Sequence, residues 1–159
     1  MFLPAEVVGV RIEMPSNQPI VLLKESNGGR YLPIWIGAME AGAIAIAIAG
    51  TPTPRPMTHD LMREILEVSG TFVTSVHITG MEAGLFFAEI HLRDENGALA
   101  PISARPSDAI ALALRTQANV MVASDLFETA GIAVRSDEGS EGEVEAFRQF
   151  LDEINPDDF

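Results

Sequence analysis

The chain contains no cysteine. A disulfide framework and a thiolate metal site are therefore both excluded, and a reducing compartment fits. Basic charge is scarce: ten Lys and Arg side chains, with Lys24 the single lysine, face 23 acids, for a net charge of −13. Such a chain lacks the basic patch with which a duplex-DNA binder neutralises phosphates. No apolar run approaches the roughly 20 residues that cross a bilayer, the longest being Ala41 to Ala49. The first residues, Met1-Phe2-Leu3-Pro4-Ala5-Glu6, have no basic stretch and no cleavage-like site, so they do not read as a signal peptide. The expectation is a cytoplasmic protein that does not enter membranes. There is also no Gly-Lys-Ser/Thr phosphate loop, no serine-nucleophile elbow and no His-Glu-x-x-His motif.

What is present is a chain of 159 residues, 47% of them apolar, enough for one domain with a sizeable core. The charge is uneven. From Ser136 onward nine acids face one base, Arg148, so this stretch carries −8 of the −13. Residues 1–135 read as the folded domain, and 136–159 as an acidic extension. Within the extension, Val144, Phe147, Leu151 and Ile154 stand at helical spacing, which predicts an amphipathic helix over Glu143–Ile154. An acidic extension can simply be solvated, or it can screen a nucleic-acid groove.

Local patterns predict a mixture of strands and helices. Val7–Ile12, Pro19–Glu25 and Tyr31–Ile36 read as strands, and Ser26-Asn27-Gly28-Gly29 as the turn of a hairpin. Gly37–Ala49, rich in alanine with Glu40 its only charge, reads as a helix apolar on all sides, buried in the core or at a subunit interface. Three prolines between Pro52 and Pro56 impose an extended loop. A helix follows over Thr58–Val68, with Leu61, Met62, Ile65, Leu66 and Val68 as its apolar face. Thr71–Thr79 and Leu85–Arg93 alternate as the strands of a second hairpin, with His77 and His91 at surface positions and out of register with each other. Leu99–Ala104 reads as a strand, Ser107–Ala118 as a second apolar helix, Val120–Ala123 as a short strand and Ser124–Thr129 as a short helix. Without a regular βαβ alternation the expected class is α+β: a mixed or antiparallel sheet packed by helices.

Two helix openings share a pattern: Arg55-Pro56-Met57-Thr58-His59-Asp60 and Arg105-Pro106-Ser107-Asp108. Their hydroxyls suit N-caps and their acids suit the positive end of a helix dipole, so neither needs a functional reason. Arg55 and Arg105 are not explained by capping. Each can pin its loop through a carboxylate pair, or bind phosphate oxygens beside the free N–H groups of a helix start. Glu40 in its apolar helix calls for a partner, either Arg55, Arg105 or a metal, unless it stays near the surface in the first turn. His59, beside Asp60, is the one histidine suited to acid–base work.

Three segments, Leu32-Pro33-Ile34-Trp35-Ile36-Gly37 continuing through Glu40-Ala41, Arg55 to Leu61, and Ala104 to Ala113, together resemble the bifunctional nuclease domain family, over about residues 5–135 by the usual span of one domain. The resemblance implies an α+β fold, a homo-oligomer with a dimer as the first expectation, and hydrolysis of both DNA and RNA. Glu40, Arg55, His59, Asp60, Arg105 and Asp108 occupy its motif positions. On that basis Asp60 and Asp108, with Glu40, are expected to hold Mg²⁺ or Mn²⁺, Arg55 and Arg105 to stabilise the charge on phosphorus, and His59 to move a proton. Single-stranded DNA or RNA is the expected substrate. The competing expectation is a non-catalytic, oligomeric binding protein whose Arg-Pro loops are structural or bind a small anion.

Overall fold

The computed structural model describes residues 1–133. The predicted helix over Glu143–Ile154 and the acidic extension lie outside the described residues.

The elements run β1 (Phe2–Glu13), β2 (Gln18–Glu25), β3 (Arg30–Trp35), α1 (Ala38–Ala49), α2 (Thr58–Val68), β4 (Phe72–Glu82), β5 (Leu85–Asp94), β6 (Gly97–Ala98), β7 (Ile102–Ala104), α3 (Pro106–Thr116), β8 (Asn119–Ala123), α4 (Ser124–Thr129) and β9 (Ile132–Ala133). The nine strands among the described residues form one mixed sheet in the order β6-β5-β4-β8-β1-β2-β3-β9, with β7 also on β5. Every pairing is antiparallel except β4 with β8. This is the expected α+β class.

The short apolar strand β8 enters the middle of the sheet, between β4 and β1. Val120 and Val122 face the core there, where they meet Val76 and Ile78 of β4 and the α3 residues Ile110 and Leu112. Burying each such side chain contributes about 1.5–3 kcal/mol. The helix α1 is buried along Ala41–Ile46 and packs on α3, β1 and β2, so its apolar middle belongs to this domain's own core. Small alanines on both α1 and α3 let these helices approach each other closely.

Several elements differ from expectation for identifiable reasons. The first strand begins at Phe2 rather than Val7, because Phe2 to Ala5 pair with β8. Of Leu99–Ala104 only Ile102–Ala104 is strand, as β7; β6 precedes it at Gly97–Ala98, and the gap between them holds Pro101, which has no N–H to donate to a ladder. Thr58 and Ser107 are not caps: Met57 and Arg105 hold the N-cap positions, and neither makes a side-chain cap bond. At α3 the proline takes the first helical position, where its fixed φ fits and its missing N–H costs nothing. On α2 only two of the five residues of the expected apolar face are used. Met62 and Leu66 pack on the core, whereas Leu61, Ile65 and Val68 are exposed.

The β4–β5 hairpin turns at Ala83-Gly84, both at positive φ, later than expected. Two bulges, after Val73 and after Ile78, shift its phase. Phe72, which the alternation groups with Val76 and Ile78, is therefore exposed. The same shift brings His77 and His91 together. They sit on diagonal positions, with ring centroids 4.0 Å apart, and Phe2 packs edge-on to His77 at 4.7 Å. The His77 hydroxyl partner is Ser75 Oγ, at 2.9 Å from Nε2, and His91 Nε2 lies 3.2 Å from Glu89. Burial holds the His77 pKa below its ordinary value, the neighbouring His91 adds to this, and Glu89 opposes it.

A depressed histidine favours the neutral form in the folded state. Its stabilising contribution is present above the unfolded pKa of about 6.5 and is lost as pH falls through the lower folded value. Denaturant midpoints of the wild type are therefore expected to fall from pH 7 toward pH 5, and to fall less in His77→Gln. Parallel curves for the two proteins would remove His77 as the cause.

Candidate active site

The starts of α1, α2 and α3 meet at one end of the sheet. Arg105, the N-cap of α3, donates from Nε and Nη2 to Asp108 on the first turn of its own helix, at 2.8 and 3.1 Å. Its Nη1 donates to Glu40 Oε1 on the first turn of α1, at 2.9 Å. Thus Glu40 finds an arginine, as its apolar surroundings demanded. Gly37 makes room for this arrangement, because a Cβ there would collide with the Glu40 carboxylate.

His59 joins α2 to the same group. Its ring is buried, with Nε2 3.0 Å from Asp108 Oδ1, and Nδ1 has no hydrogen-bond partner among the described residues. Burial alone would raise the Asp108 carboxyl. The hydrogen bonds from Arg105 and His59, with their charges, outweigh burial and leave Asp108 below the usual carboxylate range. Asp108 and Glu40 in turn hold the Arg105 proton more tightly than in a free guanidinium.

Arg105 remains 63% exposed despite these three bonds. A guanidinium has five N–H groups, so two are left to donate to a ligand. It stands on the wall of a cleft of about 510 Å³, beside Glu40, Trp35, Gly37, Phe87 and Ser103. In sheet order β3 and β5 have four strands between them, yet both line this cleft, so the sheet is strongly curled. Arg55 is exposed in the proline loop ahead of α2, away from the walls of this cleft, and its side chain has no partner among the described residues.

Asp60 faces another way. Its Oδ2 accepts the Met57 N–H at 3.0 Å, and its Oδ1 accepts from Arg115 Nε at 2.8 Å. Arg115 is 5% exposed and also donates to Ala111 O and to Ala43 O of α1. It ties three helices together. Sequence reading passed over it, although one signal existed: a lone arginine directly after the apolar run Ala109–Leu114 needs a buried partner as much as Glu40 does.

The carboxylates expected to bind metal are thus held by arginines, Glu40 and Asp108 by Arg105, Asp60 by Arg115. Among the described residues no three His, Asp or Glu side chains are grouped to hold an ion. As arranged, this donor set does not fit a metal. Glu40 and Asp108 would first have to leave Arg105.

The sequence of residues 21–135 matches the bifunctional nuclease domain. The chain belongs to that family. An uncharacterized protein of Mycobacterium tuberculosis is 45% identical over 160 residues, covering 96% of this chain and 95% of that protein. Bifunctional nuclease 1 of Arabidopsis thaliana is 29% identical, covering 73% of this chain but 37% of the plant protein. Bifunctional nuclease of Oryza minuta is 28% identical, covering 87% and 43%. The chain therefore spans about two fifths of the length of those plant relatives. The family match contains all six residues singled out by sequence, and four of them, Glu40, His59, Arg105 and Asp108, form the connected group described above. No helix among the described residues is long and apolar enough to cross a membrane.

Proposed function

We propose that this chain is a nuclease that hydrolyses phosphodiester bonds of DNA and RNA, with Arg105 as its phosphate-binding group. One observation carries the reading. Arg105 is held by acids from two helices while exposed at the wall of a cleft, with two N–H donors unused. An ion pair this exposed adds only about 0–1 kcal/mol to stability, so a purely structural role leaves the arrangement unexplained. A guanidinium fixed in advance costs no reorganisation when charge builds on phosphorus.

In this reading Asp108 and Glu40 orient Arg105, and His59 fixes Asp108. Arg55, exposed on its proline-stiffened loop away from the cleft walls, stands outside this group and keeps its expected role as a second cation only for a part of the substrate strand beyond the cleft. His59 is the imidazole assigned to proton movement, and its Nε2 contacts Asp108, which in turn holds Arg105 on the cleft wall. Asp60 supports α2 through Arg115. Assistance by Mg²⁺ or Mn²⁺ belongs to the proposal as a separate question, and no step above is routed through it. The cysteine-free sequence fits a cytoplasmic setting for the reaction.

The test is an assay on single-stranded DNA and RNA, in EDTA and then with Mn²⁺ restored. Hydrolysis that follows the protein through successive purification steps supports the reading, and hydrolysis that separates from it points to a contaminant. Activity indifferent to EDTA removes the metal.

A homo-oligomer, with a dimer first, is part of the same proposal. The exposed Leu61, Ile65 and Val68 form one stripe on α2, the kind of apolar surface that association covers. Ile65→Glu is expected to leave monomer stability within about 0.5 kcal/mol, since the site is exposed, while lowering the mass seen by light scattering. An unchanged mass would move the interface elsewhere, and a wild-type monomer would remove it. A non-catalytic oligomeric binder is the second reading, and the same stripe favours it. Its Arg-Pro loops would then be structural or would hold a small anion.

A further inference from the structure

The cleft beside Arg105 has walls of a kind that phosphate binding does not need. Trp35 is 52% exposed and Phe87 41% exposed, and both line it with Leu85 at the tip of the β4–β5 hairpin. Trp35 ends β3, with its neighbours Ile34 and Ile36 in the core, so its indole stands off the packed side. The ring's edge is tethered: Nε1 donates to Glu13 Oε2 at 2.7 Å. That bond engages the indole at its edge and leaves its faces unused. The volume lies within the range of about 300–1,000 Å³ usual for small-ligand sites. The cleft thus joins aromatic surface to a guanidinium with free donors.

We propose that Trp35 and Phe87 form a stacking platform for one unpaired nucleobase, whose adjoining phosphate is held by Arg105. This rests on the nuclease reading and adds to it the part of the substrate recognised and the reason for a single strand. Bases stack on aromatic side chains with little regard to sequence, which suits a site acting on both DNA and RNA. In a duplex the base faces are already stacked and paired, and extracting one costs a few kcal/mol. The platform therefore selects single strands. It also answers the electrostatic difficulty. With a net charge of −13, long-range attraction to a polyanion is absent, and stacking supplies affinity that charge does not.

Trp35 is the chain's single tryptophan, so its fluorescence reports on this cleft alone. The probe is a short phosphorothioate oligonucleotide that resists cleavage, titrated at low salt as a single strand, as a blunt duplex, and as the corresponding mononucleotide. Saturable quenching by the single strand, weaker by the mononucleotide and absent with the duplex, is the expected result. Labelled-strand anisotropy should weaken on the order of tenfold or more in Trp35→Ala and in Phe87→Ala, and stay within a few-fold of wild type in Trp35→Phe, which keeps a ring. Circular dichroism verifies the fold of each variant, and two independent walls guard against loss of one. Binding without quenching, equal quenching by the duplex, or no binding at all overturns the platform. Hydrolysis in the absence of quenching would leave the nuclease reading standing and this inference refuted. Quenching without hydrolysis would do the reverse.

Discussion

Asp60→Ala is expected to lower folding stability by about 3–5 kcal/mol, measured by guanidinium titration, because it leaves the buried Arg115 cation without its carboxylate. The loss of the Met57 N–H bond at the start of α2 adds to this, a cap interaction being worth about 0.5–2 kcal/mol. Domains of this size hold only about 5–15 kcal/mol in total, so the variant should be partly unfolded at modest denaturant. The reverse truncation is milder. Arg115→Met leaves Asp60 with a quarter of its side chain exposed, so the carboxylate can turn to water. The double variant Asp60→Leu with Arg115→Met should recover much of the loss, since replacing both members of a buried pair by apolar side chains is often close to neutral. If the two single variants lose the same stability and their effects add, the pair is not the clamp described here. For activity work, Asp60→Asn reads stability as well as chemistry.

How far the sequence could be read depends on whether neighbours in the chain or distant residues decide. The hairpin at Ser26–Gly29, the helix over Thr58–Val68 and the strand at Val120–Ala123 were legible because their turn residues and periodicities are local. The phase of β4 was not: bulges are set by pairing with β5, and an extra residue at each of two of them moved Phe72 outward and put His77 against His91. Capping was misplaced at α2 and α3 because a hydroxyl in the first turn of a helix resembles a cap in one dimension. Of the candidate site, the motif positions were visible, and the pairings of Arg105 with its neighbouring acid and with Glu40 were among the alternatives. Nothing local says that Asp60 turns to Arg115, or that Asp108 also meets His59, 49 residues away. Burial was the usable cue. A lone charge in an apolar helix pointed to Glu40, and the same cue applied to Arg115 would have found the clamp.

Arg105→Ala is expected to reduce nuclease activity by about 10²–10³-fold, the scale on which a single donor to a developing oxyanion acts. Its effect on stability should stay within about 1 kcal/mol, because the side chain is 63% exposed and its pairs are screened. That separation of rate from stability is what distinguishes this arginine from Arg115. Arg105→Lys should recover little, since an ammonium cannot make the paired Nε and Nη2 bonds to Asp108 while also reaching Glu40. Glu40→Gln should fall between, because Asp108 still orients the guanidinium. Folded Arg105→Ala with unchanged hydrolysis would remove Arg105 from the chemistry. A matching loss of stability and rate would instead make it a second clamp, and the oligomeric binding reading would then account better for both Arg-Pro openings. Full activity in Glu40→Gln together with loss in Arg105→Ala would assign the orienting role to Asp108 alone, and through it to His59.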